Sequence, residues 1–335
     1  MAVLTDSQRN LRLAHAERQR IKVYEPDYRG PLGSSARPSL HPHLKPKRIV
    51  MTTTPQNLFR HLILAFGLLA VFTADAQDVP LDSLETGQRF IPTKTYTLEE
   101  DRAIIRAFEG LRVVDVADGL DIVGLFGNML VDPDIHPLWK DTETYAHRIV
   151  GVAVTTRFIA SNEPLPGPLS YEEFRSREGS FYWLKSMEHF QKVLREGSVV
   201  VLDDAVNDVG SIGSANILEW VQKGAVGVIT DSTARDTDEI IAQGVPLYYR
   251  GAGRGIRPWR NELESVNLPI QVGGVQVRPG DVIVADGDGV VCVPREVAPE
   301  VAANAHAILR GDKEVRRKLY EELGLPVDSS VQLSP

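Results

Sequence analysis

Hydrophobic positions after about residue 96 follow two different spacings along the chain. Short runs rich in Val, Ile and Ala are typical of buried strands, and stretches with apolar residues three or four positions apart are typical of amphipathic helices. The predicted strands are Arg148–Ile159, Ser198–Leu202, Ala225–Thr230, Val245–Tyr249, Ile270–Val277, Asp281–Ala285 and Val290–Val293. The predicted helices are Thr97–Leu111, Tyr182–Leu194, Ser214–Lys223, Thr237–Gln243 and Glu296–Gly324, the last with Gly311 as a point where it could break.

The order of these elements predicts the fold class. Strands and helices alternate from Ser198 to Tyr249, which favours an α/β domain with helices packed on a sheet, and we expect three α/β/α layers. Thr97 and Glu100 have the spacing of a capping box at the start of the first helix. The segment 161–179 is rich in Pro, Glu and Gly and is interpreted as a loop or an insertion.

A separate apolar run lies near the front of the chain. Residues 62–74 are mostly apolar, and Ala74-Asp75-Ala76 follows as a small-x-small pattern. The run is shorter than the ~20 residues that a membrane-spanning helix needs, and it matches the core of a secretory signal, although a buried core helix is the alternative. We predict a signal peptide over residues 51–76 with cleavage near Ala76–Gln77, export to the periplasm or the medium, and no stable membrane anchor.

Residues 1–50 are polar and contain many Arg, His and Pro residues. A signal peptide has to be N-terminal, so we interpret this segment as a disordered, non-native upstream extension and Met51 as the natural start. An Arg-rich transit peptide is the alternative, and the acidic residues in the segment count against it. The mature domain would then span residues 77–335.

Composition narrows the classes of function further. The chain has 335 residues, with 45 Asp and Glu against 37 Lys and Arg and a net charge of −8, which argues against general affinity for nucleic acid. The single cysteine, Cys292, excludes a disulfide framework and a cysteine-based zinc cluster, and its apolar neighbours predict that it is buried. Asp286-Gly-Asp-Gly289 lies between two predicted strands and indicates a hairpin turn.

Two short polar segments are candidates for a functional site. Arg235 and Asp236 follow the strand Ala225–Thr230, at the strand end where open α/β sheets place ligands. Arg can grip a carboxylate and Asp can ligate a hard cation, but a surface ion pair is the alternative. The turn 210–214 opens the next helix, so its backbone N–H groups could hold an anion, unless it is only a tight turn with Ser214 as the N-cap.

Several segments together are similar to one known family. They are Asp115–Asp121, Arg148–Thr155, Gly224–Asp236, Val245–Gly251 and Pro279–Pro294. In this order, over residues 114–324, the chain resembles the regulator-of-ribonuclease-activity (RraA-like) family, which includes the 4-hydroxy-4-methyl-2-oxoglutarate aldolases and was once mislabelled as menaquinone methyltransferases. The resemblance implies a swivelling β/α domain. The segment 161–188 is longer than the usual connection in this family.

The resemblance also implies a reaction, a cofactor and an assembly. It implies a lyase: a class II aldolase or decarboxylase that cleaves a 2-oxo acid, such as 4-hydroxy-4-methyl-2-oxoglutarate or oxaloacetate, and releases pyruvate. Mg²⁺ or Mn²⁺ would lie on Asp236, and Arg235 would hold the substrate carboxylate. A homotrimer or homohexamer is expected, in which Glu314 of a neighbouring chain reaches the site. Substrate would also meet the N–H groups of four consecutive residues, Gly213, Ser214, Ala215 and Asn216.

This chain departs from the family at one position. In aldolases of the family, twenty residues lie between an acidic residue and the Arg-Asp pair, and here the acidic position is Ser214, which we include among the candidate catalytic residues. Two alternatives therefore stay open. One is a non-catalytic binding or regulatory protein. The other is an exported enzyme that uses Ser214 and Asn216 on another carboxylic acid.

Overall fold

The computed structural model describes residues 96–204 and 208–332. These lie in the second of two compact units of the chain, Asp75–Pro335. The predictions for residues 1–50 and for the signal peptide over 51–76 lie outside the described residues. Within the described part of the chain, no helix combines the length and hydropathy needed to cross a bilayer.

Six α-helices occur among the described residues, together with a 3₁₀ turn at His189–Lys192. They are α1 (Leu98–Phe108), α2 (Val113–Ile122), α3 (Tyr171–Lys185), α4 (Ser214–Gln222), α5 (Thr237–Gln243) and α6 (Ala298–Leu323). The capping box at α1 is confirmed: the Glu100 N–H donates to Thr97 Oγ1 at 3.2 Å, and the Thr97 N–H donates to Glu100 Oε2 at 2.6 Å. Helix α6 continues through Gly311 without a break.

The described strands form one large mixed sheet and two small ones. They are β1 (His136–Pro137), β2 (Ile149–Ala160), β3 (Ser198–Asp204), β4 (Ala225–Thr230), β5 (Thr233–Ala234), β6 (Leu247–Tyr249), β7 (Gly251–Ala252), β8 (Asn261–Val266), β9 (Ile270–Val272), β10 (Val275–Val277), β11 (Val282–Asp286) and β12 (Gly289–Val293). The large sheet has the order β1-β6-β4-β3-β2-β11-β12, with β8 also paired to β2. Its centre is parallel, because β2, β3, β4 and β6 run in the same direction.

Helices cover one face of the large sheet and a hairpin covers the other. Val152 on β2 and Val282 on β11 are register partners, and both pack in the core cluster that contains α1, α2 and α6. The next residue along β2, Ala153, points to the opposite face, where it packs in a cluster with the β9–β10 hairpin. The α/β class is therefore confirmed. In the part of the chain that the structure describes, the β9–β10 hairpin covers this second face, where the sequence predicts a helical layer.

Three local predictions need correction. The segment 161–179 is not all loop, since α3 begins at Tyr171 behind a second capping box formed by Ser170 and Glu173. The helix predicted over Tyr182–Leu194 instead ends at Lys185 and is followed by the 3₁₀ turn. The strand predicted over Ile270–Val277 is instead the hairpin of β9 and β10. Helix α2 and strand β8 were not predicted as elements. The hairpin turn at Asp286–Gly289 and the burial of Cys292 are confirmed.

Candidate functional site

The candidate site lies at the carboxyl ends of the parallel strands β3 and β4. Leu202 and Thr230 are register partners near these ends, so the two loops that follow leave the sheet side by side. A parallel bridge between Ile212 and Ala234 joins the loops. The Arg235 N–H donates to the Ile212 carbonyl oxygen at 2.8 Å. This pairing brings the two sequence segments that we singled out into one site.

Asp236 lies against the N-terminus of α4. Its backbone is left-handed, with φ 55°, and its carboxylate accepts from the Ser214 N–H at 3.1 Å and from Ser214 Oγ at 3.3 Å. Gly213, not Ser214, is the N-cap of α4, and it makes no side-chain cap. The Asp236 carboxylate thus satisfies an N–H group that the start of an α-helix leaves without an intrahelical partner. Ser214 is an anchor for Asp236 rather than the cap of its own helix.

Gly213 is required by the close approach of the Asp236 carboxylate. A Cβ at this position would lie 2.9 Å from Asp236 Oδ2 and 3.5 Å from Asn216 Oδ1. A carboxylate oxygen and an amide oxygen therefore border the same small space. Any larger residue at 213 would have to displace the Asp236 carboxylate.

Arg235 lies beside Asp236 with its side chain partly exposed. Its side chain is 38% exposed, and Nε donates to Asp236 Oδ1 at 3.3 Å. Among the described residues this is the only hydrogen bond of the guanidinium, so both terminal nitrogens are available for a bidentate contact with a carboxylate. A single 3.3 Å hydrogen bond between two partly exposed side chains contributes little to the stability of the fold. Stabilisation alone is therefore a weak explanation for the position of Arg235 and Asp236.

The carboxylate of Glu188 supports the site through hydrogen bonds with residues of α4. Glu188 accepts hydrogen bonds from Arg257, from Trp220 Nε1 at 2.7 Å, from Gln191 Nε2 at 2.7 Å and from Asn216 Nδ2 at 2.9 Å. Its side chain is 10% exposed and that of Arg257 is 2% exposed. Sequence reasoning missed this network, and its only signal was the unusual length of the segment that ends at Glu188.

Arg257 also holds the turn that leads to α4. Its Nε and Nη2 donate to the Ser211 carbonyl oxygen at 3.1 and 2.7 Å, and its guanidinium lies 4.6 Å from the centroid of the Phe158 ring. The charge of Arg257 is balanced by Glu188, so removal of either partner would leave an uncompensated buried charge. The ion pair therefore fixes both the turn and the first helical residues of the site.

Among the described residues, three further charged side chains make no hydrogen bond with Arg235 or Asp236. Glu314 is exposed on α6, whose buried face packs against α1 and α2. Arg250 pairs with Asp132 at 3.0 Å. Arg254 donates to Asp208 at 2.6 Å, and this contact is the main reason that the pKa of Asp208 is lowered.

The oxygens at this site fit a divalent cation of the Mg²⁺ type. No group of three or more His, Cys, Asp or Glu side chains that could hold a metal ion occurs among the described residues, so an all-protein cage is absent there. Asp236, however, has four lone-pair positions and accepts three hydrogen bonds, two at Oδ2 and one at Oδ1. Asn216 Oδ1 and Asp236 Oδ2 lie 3.5 and 2.9 Å from the position that a Cβ of residue 213 would take. Mg²⁺ commonly binds through one or two carboxylates, with waters and substrate oxygens as the other ligands.

Comparison with known proteins identifies relatives of the chain. The RraA-like family, described as Aldolase/RraA, matches residues 113–292. A 4-hydroxy-4-methyl-2-oxoglutarate aldolase from Thermus thermophilus is 28% identical over 141 residues, which cover 38% of this chain and 83% of the relative. An uncharacterized protein from Methanocaldococcus jannaschii is 33% identical over 101 residues, 29% of this chain and 46% of that protein, so the chain spans less than half of that relative's length.

A solved structure supports the fold. An unusual member of the RNase ES inhibitor RraA protein family, from Streptomyces coelicolor, superimposes with a TM-score of 0.52 at 21% sequence identity, over 67% of this chain and 99% of the other. At this identity the likeness concerns the fold. The two loops of the candidate site, which follow β3 and β4, lie within residues 113–292, the region that the family model matches.

Proposed function

We propose that this chain, which belongs to the RraA-like family of aldolases and RraA proteins, is a lyase that cleaves a carbon–carbon bond of a 2-oxo acid and releases pyruvate. The observation that carries the proposal is the convergence of Arg235, Asp236 and the N-terminus of α4 at the carboxyl ends of two parallel strands. The Thermus thermophilus relative, an aldolase for 4-hydroxy-4-methyl-2-oxoglutarate by name, supports the same reaction class.

Different residues of the site bind different parts of the substrate in this proposal. The terminal nitrogens of Arg235 grip the carboxylate of the 2-oxo acid in a bidentate contact, which fixes the orientation of the reacting carbonyl. The N–H groups of Ala215 and Asn216 belong to the first turn of α4, where backbone donors have no intrahelical acceptor. In the proposed reaction they stabilise the negative charge that develops on the carbonyl oxygen as the bond breaks.

Asp236 would hold the divalent cation, Mg²⁺ or Mn²⁺. When bound, such an ion polarises the carbonyl of the 2-oxo acid and stabilises negative charge on its oxygen. The chain keeps Asp236 in place through the N–H and the hydroxyl of Ser214. Ser214 replaces the acidic residue of family aldolases, so in this chain the position anchors the carboxylate that remains.

We further propose a trimer or hexamer in which Glu314 of one protomer completes the site of its neighbour. Glu314 is exposed, and the RraA-like family supports an assembly of this kind. Light scattering should give three or six times the protomer mass. A monomer that releases pyruvate at full rate would contradict the shared site.

Export remains part of the proposal. The apolar run 62–74 and the Ala74-Asp75-Ala76 pattern support a signal peptide, and N-terminal sequencing of the exported form should begin at or near Gln77. An intact cytoplasmic protein that begins at Met1 would contradict it.

The proposed reaction is tested by a substrate panel. Purified protein is mixed with 4-hydroxy-4-methyl-2-oxoglutarate, related 4-hydroxy-2-oxo acids or oxaloacetate, and pyruvate is measured through lactate dehydrogenase and NADH. We expect release with Mg²⁺ or Mn²⁺ and loss of release in EDTA. No pyruvate from any member of the panel, with either metal, would contradict the proposal and favour the non-catalytic alternative.

A further inference from the structure

Because position 214 holds a serine and not an acidic residue, the proposed cation has one carboxylate ligand from this chain. A side-chain oxygen on α4 could serve as its second protein ligand. Asn216 lies one helical position beyond Ala215 on α4 and is half-buried. Its Oδ1 lies 3.5 Å from the point where a Cβ of residue 213 would be, and Asp236 Oδ2 lies 2.9 Å from the same point. Among the described residues, no donor is bonded to this amide oxygen.

The orientation of the Asn216 amide is fixed by chemistry. An ionised carboxylate only accepts hydrogen bonds, so the group that faces Glu188 has to be the Asn216 NH₂, here at 2.9 Å. The amide oxygen then lies on the side of Gly213, 3.5 Å from the position that a Cβ of residue 213 would take. A flip of the amide would place two acceptors against each other and leave the Glu188 oxygen without this donor.

Glu188 is itself held in place and electrically balanced. Trp220 and Gln191 donate to one of its oxygens, and Arg257 and Asn216 donate to the other. Because Arg257 compensates its charge, Glu188 orients Asn216 without adding a net negative charge to the site. A buried carboxylate with four donors is also a rigid support, since each lone pair in use restrains rotation.

We propose that Asn216 is the second protein oxygen ligand of the divalent cation in this chain, and that Glu188 is the positioning residue that turns its amide oxygen toward Asp236. This proposal rests on the proposed function. It predicts that the neutral amide oxygen of Asn216 substitutes for the missing carboxylate. It also predicts that the long segment that ends at Glu188 serves to position this ligand.

The test is Mn²⁺ binding by the full chain, measured by electron paramagnetic resonance or calorimetry in the absence of substrate. Asn216→Ala removes the oxygen and should raise the Kd for Mn²⁺ about 10-fold or more. Glu188→Gln frees the amide to flip and should raise the Kd by about 10-fold, because partners that orient metal ligands are typically worth 10- to 100-fold in affinity. Asn128→Ala, an exposed asparagine in a turn, is the matched control and should leave the Kd unchanged.

A double mutant separates positioning from folding. If Glu188 acts through Asn216, Glu188→Gln should leave the Mn²⁺ Kd of Asn216→Ala unchanged, while it still lowers the melting temperature through the unpaired Arg257. Equal Kd losses in both backgrounds would overturn the role of Glu188. Should Glu188→Gln fail to fold, Asn216→Ala alone decides, because it leaves the Arg257–Glu188 pair intact.

Two further results would overturn the inference, and they are distinguishable. A wild-type protein that binds Mn²⁺ and an Asn216→Ala variant with a Kd within about twofold of it would refute the role of Asn216 and leave the proposed function standing. A wild-type protein that binds no Mn²⁺ at millimolar concentration would refute the metal in the proposed function, and this inference with it.

Discussion

Substitution of Gly213 by alanine tests the geometry of the site with a single added methyl group. The new Cβ would lie 2.9 Å from Asp236 Oδ2, whereas ordinary contact begins at 3.4 Å, so the carboxylate has to move by about 0.5 Å. Residue 213 has φ −124°, so alanine adds no backbone strain. Asp236 is 34% exposed and can rotate, and we therefore expect a stability loss near the lower end of the 1–3 kcal/mol typical of overpacking.

The kinetic effect of this substitution should exceed the structural one. A misplacement of 1 Å commonly costs about 10²-fold in rate, so a shift of half that size should lower kcat/KM for pyruvate release about 10-fold. The assay couples pyruvate to lactate dehydrogenase, beside a thermal melt of each variant. Gly167→Ala is the control, because a Cβ there meets nothing within 4 Å, and it should keep the wild-type rate. A folded Gly213→Ala variant with wild-type kcat/KM would refute the argument that the position of Asp236 matters.

Two other predictions concern charged residues. Arg235→Lys should lower kcat/KM by roughly 30- to 1000-fold, or about 2–4 kcal/mol, with little change in the melt, because an ammonium cannot reproduce the bidentate fork; an unchanged rate would contradict this. Burial raises the pKa of Asp231 to about 6. The contribution of Asp231 to the free energy of unfolding is therefore highest below about pH 4, where its carboxyl is protonated in both the folded and the unfolded state. It falls by at most about 3 kcal/mol as the pH rises through 6, because the unfolded state ionises first. Asp231→Asn should gain stability relative to wild type between pH 4 and 7 in urea denaturation, and a pH-independent difference would contradict it.

Local chemistry explains which elements could be predicted from the sequence. Strands β3 and β4 are short runs of buried β-branched residues, and the capping box at Thr97 is a local hydrogen-bond pattern. Strand β8 has the sequence NELESV, which is too polar to indicate a strand, and its pairing with β2 makes it one. The start of α3 was missed because Pro and Gly residues before Ser170 hide the capping box.

For the candidate site, too, some residues could be predicted from the sequence and others could not. Arg235 and Asp236 could be placed near the turn before α4, because the carboxyl ends of adjacent parallel strands meet at one edge of a sheet. The support from Glu188 and Arg257 could not, since 69 residues separate the two and only the tertiary fold pairs them. The left-handed backbone of Asp236 occurs two residues beyond Ala234, which forms the bridge between the two loops.

The central claim is that Asp236 belongs to a catalytic centre, and the most direct measurement is kcat/KM for pyruvate release by Asp236→Asn. Asparagine keeps the size of the side chain and an oxygen that can accept from the Ser214 N–H, so the fold should survive with a melting temperature near that of wild type. The account predicts that metal-dependent release is lost in this folded variant. A folded Asp236→Asn protein that releases pyruvate at the wild-type rate would contradict it.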